Sequence, residues 1–158
     1  MKNLLKRDEG FTLIEIVLVL AIAGLILLMV FLAVSGAQRS RRDTQRKEDL
    51  SRIASQLESF ASNNNGTYPQ VAADVTNFNN DYMTPASSWK DPLSGNAYTL
   101  TLAKFVSPTN PSTITPGTVY YEPAYTCGSS GWMQAGGPAN SYAVVMILEQ
   151  GAACRSNQ

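Results

Sequence analysis

The chain has 158 residues, room for one ordinary domain and hardly for two, and its twelve Lys plus Arg balance its twelve Asp plus Glu. That balance excludes a histone-like basic protein and an acidic disordered chain. With no histidine and only two cysteines, the commonest general base is missing and a zinc cage of the Cys/His kind is impossible, so no cofactor or metal site is expected.

The neutral total hides two opposite halves. Residues 1–52 carry nine basic and six acidic side chains, a net +3, and residues 53–158 carry three basic and six acidic, a net −3. Near the start, residues 16–37 form 22 positions without a charge, broken only by Gly24, Ser35 and Gly36. As a helix rising about 1.5 Å per residue this block is about 33 Å long, close to the thickness of bilayer hydrocarbon. A removable secretory signal has a shorter apolar core, and Thr12 and Glu15 stand where it wants apolar side chains. A buried core helix needs more surrounding protein than 158 residues supply. A membrane span is therefore expected. Glu15 sits just inside it, where a carboxylate is costly and marks function with a partner nearby. A cut after Gly10 would create an amine on Phe11, four residues before that carboxylate.

Gly10-Phe11-Thr12-Leu13-Ile14-Glu15 followed by the long apolar stretch resembles the N-terminal signal of type IV pilins and pseudopilins. The resemblance implies a leader, residues 1–10, removed by a prepilin peptidase that also methylates Phe11. It implies a filament-core helix over residues 11–38, with Glu15 and Thr12 serving assembly. Gly24 falls where that family commonly has glycine, and Leu32 replaces its frequent helix-kinking proline. The implied partners are other copies of the subunit, the peptidase/methylase, an assembly platform with its ATPase, and the lipid membrane before assembly. The implied location is the inner membrane with an extracytoplasmic head, and then a surface pilus. Counting Lys and Arg near the span ends would instead place the C-terminal part inside; the processing motif takes precedence, because the leader's basic residues precede it.

No proline occurs before Pro69, so the helix is expected to run from about Phe11 to about Ser62. Residues 39–66 read as its amphipathic continuation, with Leu50, Ile53, Leu57 and Phe60 at 3-4-3 spacing on one face. Asp43–Lys47 and Glu48–Arg52 have the spacing of i,i+4 ion pairs. The basic cluster 39–47 lacks interleaved aromatics, so it reads as solvated helix surface or headgroup contact rather than a nucleic-acid site. Asn63-Asn64-Asn65-Gly66 and then Pro69 end the helix; Asn65-Gly66-Thr67 also fits a glycosylation acceptor, although its turn role explains it equally well.

Residues 67–158 are expected to form a globular head. Residues 67–96 read as an irregular connection, strands are expected over 97–106, 118–126 and 141–149, and 107–117 reads as a loop. A helix on a small antiparallel sheet is an α+β fold, as the resemblance also implies. Tyr120, Tyr121, Tyr125 and Trp132 suit either strand packing or an adhesive surface. Cys127 and Cys154 are either two unrelated thiols or a pair closing a C-terminal loop; the resemblance favours the pair, as pilins often carry such a disulfide. No paired carboxylates or calcium loop are legible in the head, so an enzyme is not expected. The function implied is a structural subunit of a type IV pilus serving motility, adhesion or DNA uptake. The alternatives are a pseudopilin of a type II secretion or competence system and a membrane-anchored extracytoplasmic binding protein.

Overall fold

The computed structural model describes residues 10–102 and 115–158. The leader before Gly10, the end of the expected strand 97–106 and most of the expected loop 107–117 lie outside the described residues. The elements are α1 (Leu13–Asn63), α2 (Ala72–Asp81), a 3-10 turn (Ala86–Ser88), β1 (Leu100–Leu102), β2 (Val119–Pro123), β3 (Tyr125–Cys127), β4 (Met133–Ala135), β5 (Tyr142–Ile147) and β6 (Ala152–Ser156). The chain divides after Gln38 into two units.

In the first unit, α1 buries none of its apolar side chains: Leu20, Leu27 and Phe31 are 65%, 69% and 78% exposed. The hydroxyl of Ser35 donates to the Leu32 carbonyl at 3.0 Å, so the one hydroxyl within the apolar block is satisfied inside the helix.

The second unit is three layers. Leu50, Ile53, Leu57 and Phe60 of α1 are buried together, the single face that their spacing predicted. They pack on a four-stranded sheet of order β1-β2-β5-β6. β5 is buried at all six positions. Its alternate side chains explain why: Tyr142, Val144 and Met146 join the α1 core, while Ala143 and Val145 pack with Met133 beneath the β3–β4 ribbon. A strand apolar on both faces is thus covered on both. Each such fully buried large side chain contributes about 1.5–3 kcal/mol. Tyr121 is buried in the α1 core and donates to the Pro69 carbonyl at 3.0 Å, and Tyr120, Tyr125 and Trp132 pack around Met133. These aromatics serve packing.

Four expectations are corrected. Residues 67–96 are not wholly irregular, because α2 lies within them. Its Asn/Asp-rich end is a poor helix former, but Val75 and Phe78 bury three positions apart, and the Asp74 carboxylate accepts from the amides of Gln70 and Val71 at 3.0 and 3.2 Å. The expected strand 118–126 is two strands in different sheets, broken at Ala124, whose φ is 60°. The main sheet is mostly antiparallel, yet β1 pairs parallel with β2, as the long connection between them permits. Finally, Asp43 and Arg52 pair at i,i+3 with Arg46 and Asp49 rather than at i,i+4, because Arg46 and Asp49 face the head and are buried, whereas Lys47 and Glu48 point outward.

Charged side chains complete the attachment of α1. Arg46 is fully buried and donates to Asp91 (2.6 Å), Asp43 (3.0 Å) and Glu149 (3.1 Å). Arg42 donates to both Glu149 oxygens, the second at 2.8 Å. The carboxylates in turn hold loops: Asp91 accepts from the amides of Leu93 and Ser94 (3.0 and 2.8 Å), and Asp43 from those of Glu149 and Gln150 (2.9 and 3.2 Å). Burial alone would lower the Arg46 pKa, but its bonds to Asp91 and Asp43 outweigh burial and raise it. The Arg42 bond draws the Glu149 carboxyl down to about 2. Burial pushes the Asp91 carboxyl up, and the Arg46 and amide bonds override that to leave it lowered.

At the sheet edge, the Asn79 amide donates to the Leu100 carbonyl (3.0 Å) and accepts from the Leu100 amide (2.9 Å), taking the place of a neighbouring strand. A disulfide joins Cys127 of β3 to Cys154 of β6 with Cα atoms 5.7 Å apart, tying the ribbon to the sheet.

Candidate processing and assembly site

Gly10 and Phe11 precede α1, and both are exposed, Phe11 at 82%. The peptide bond between them is therefore accessible and lies outside regular structure, where a peptidase can take it in extended form. Thr12 is the residue before the helix and makes its cap. The Glu15 amide donates to the Thr12 hydroxyl at 3.3 Å, and the Glu15 carboxylate accepts from both the Thr12 amide and the Thr12 hydroxyl at 3.3 Å. Backbone bonds from the Glu15 and Ile16 amides to the Thr12 carbonyl close the first turn. This is a reciprocal capping box, which satisfies helix-start donors that would otherwise be orphaned at the edge of an apolar segment. The carboxylate also sits at the positive end of the helix dipole.

Two consequences follow for the chemistry. Phe11 stands outside the helix, so an amine there is not held one regular turn from Glu15; the local partner of the carboxylate is Thr12. The box bonds are at the long end of the hydrogen-bond range, and only one carboxylate oxygen, Oε2, takes part in them. The other keeps its capacity for a further donor. The Thr-x-x-Glu pattern at residues 12–15 is the sequence signal for this cap.

Immediately behind the cap, α1 is long and apolar enough to cross a membrane, and none of its apolar window is buried inside the protein. An exposed junction, a capped acidic start and a bare apolar helix thus stand in one order along the chain. Residues 5–31 match the family model of the prokaryotic N-terminal methylation motif. The chain carries a type IV pilin-like class III signal. No curated protein matches the chain, and neither does any solved structure.

The methylation motif supports a pilin- or pseudopilin-type precursor; it is a structural motif and not an enzyme class. It implies processing by a prepilin peptidase and assembly into pilus-like filaments. Together with α1 it fits a membrane-anchored precursor. The fold agrees: a long N-terminal apolar helix and a small antiparallel-rich sheet head make an α+β arrangement consistent with the pilin fold. Cys127 and Cys154 belong to that head, 27 positions apart in sequence, and are no part of the processing site. Among the described residues no group of His, Cys, Asp or Glu has the arrangement to hold a metal ion.

Proposed function

We propose that the chain is the precursor of a structural subunit of a type IV pilus. The observation that carries this is the exposed apolar surface of residues 16–37, most of which lies within the methylation-motif match at residues 5–31. Such a surface needs lipid before assembly and other copies of itself afterwards. Prepilin peptidase cuts between Gly10 and Phe11 and methylates the Phe11 amine. An assembly platform and its ATPase then move the subunit from the inner membrane into a filament with the head outermost. In that filament Glu15 pairs with the Phe11 amine of a neighbouring copy, so two charges are cancelled in a dry core. Thr12 supports the pairing by holding the carboxylate through one oxygen and leaving the other to the incoming amine.

Motility, adhesion and DNA uptake are the roles open to such a filament. A pseudopilin of a type II secretion or competence machine is the second reading, because the motif is common to both; the Cys127–Cys154 loop favours the pilus. The test is electron microscopy of filaments sheared from cells, with mass spectrometry of their subunits. Long filaments made of this chain, beginning at methylated Phe11, are expected. Glu15→Val should insert in the membrane and fail to assemble, and Gly10→Val should keep the precursor mass. Normal filaments from Glu15→Val would overturn the pairing.

A further inference from the structure

Residues 39–49 of α1 contain no apolar residue. Their polar contacts with the head are made by Arg39, Arg42, Asp43, Arg46 and Asp49, and the buried ones are Asp43, Arg46 and Asp49. Apolar attachment begins only at Leu50. One continuous helix is therefore fastened in two ways, by charge over eleven residues and by apolar packing thereafter.

We propose that residues 39–49, with the loop around Asp91 and the turn at Glu149–Gln150, form a separable joint whose ionic contacts open as one unit while α1 from Leu50 onward stays packed. The energetics favour collective opening. Releasing the joint returns charges to water and recovers the desolvation they lost, and residues 39–49 carry no apolar side chain of their own to expose. The compensation in the closed state is also incomplete. Arg46 Nη2 is buried with no hydrogen-bond partner among the described residues. Removing one member is a different matter, because it strands the others without a partner. The contacts are shared, too: Arg46 holds three carboxylates and Glu149 accepts from two arginines, so no member leaves alone. A subunit that passes from bilayer to filament has a use for such a joint between its membrane-crossing stretch and its head. Only this purpose rests on the pilus reading; the opening itself does not.

Native-state hydrogen exchange on the full chain in detergent micelles tests this directly. The amides of Leu93, Ser94, Glu149 and Gln150 donate to carboxylates of the joint and report its opening; the amides pairing β2 with β5 report unfolding of the head. At low urea the four reporters should share one opening constant, at least about tenfold larger than that of the β2–β5 amides. Arg46→Gln should accelerate the reporters at least about tenfold further and leave β2–β5 unchanged. Glu149→Gln should do the same to a smaller extent. Reporters that exchange only with β2–β5, or at four unrelated rates, would overturn the joint. So would an Arg46→Gln or Glu149→Gln chain that speeds both sets alike or fails to fold. Absence of filaments would sink the pilus reading and leave this result untouched.

Discussion

Arg46 Nε lies 2.6 Å from Asp91 Oδ1, joining two buried side chains 45 positions apart in the sequence. The bond connects the polar stretch of α1 to a loop whose own amides the same carboxylate holds. Gly117, with φ +86°, comes so close to this pair that a Cβ built there would stand 2.5 Å from Asp91 Oδ1. The turn at Gly117, just before β2, is therefore fitted closely against the ion pair as well.

Acid should loosen the head through these carboxylates. Asp91 and Glu149 have folded pKa values below their ordinary ones, Glu149 at about 2. Their stabilisation is fully present above the unfolded values, near 4, and is lost as pH falls through the folded ones. Asp49, which burial raises, acts in the opposite sense. The thermal midpoint of the head should fall between about pH 4.5 and 2, and less steeply in Glu149→Gln. An equal slope in both would remove Glu149 from the explanation.

Gly117→Ala should destabilise the head by about 1–3 kcal/mol, through the positive φ and the forced movement of Asp91. Gly136 also has a positive φ, 99°, yet nothing lies within 4 Å of a Cβ there, so Gly136→Ala isolates the backbone component. Urea denaturation of the two variants separates crowding from strain, and equal losses would deny the contact with Asp91.

Ile53→Ala should cost about 2–5 kcal/mol, the range for truncating a buried aliphatic residue, since Ile53 is 0% exposed. Leu27→Ala, at a position 69% exposed, should leave unfolding of the head unchanged. Denaturant midpoints in the same detergent compare them.

Reduction of Cys127–Cys154, or the double change Cys127→Ser with Cys154→Ser, should lower stability by about 3.5 kcal/mol in the chain-entropy model for a loop of this size. The loss should appear on adding reductant to the wild-type chain and be absent in the double variant. A wild-type midpoint insensitive to reductant would contradict it.

The residue pattern alone determined the parts of this protein that depend on one chain segment and its solvent. Residues 16–37 are apolar whatever surrounds them, so their need for lipid or other copies is readable directly. The Gly10-to-Glu15 motif lies within six consecutive positions, and the stripe from Leu50 to Phe60 repeats at the helical period, so the long helix, its packed face and the α+β class were legible too. Tertiary structure decided what depends on distant partners. α2 forms against its local propensity because Val75 and Phe78 find a core; the strand at 118–126 splits because its two halves serve different layers. The ion pairs of α1 take i,i+3 spacing because Asp91 and Glu149 draw Arg46 inward. Charges far apart in sequence carry no mark of their pairing: the energy of Arg46 with Asp91 exists only once folding has brought them together and removed the water between them.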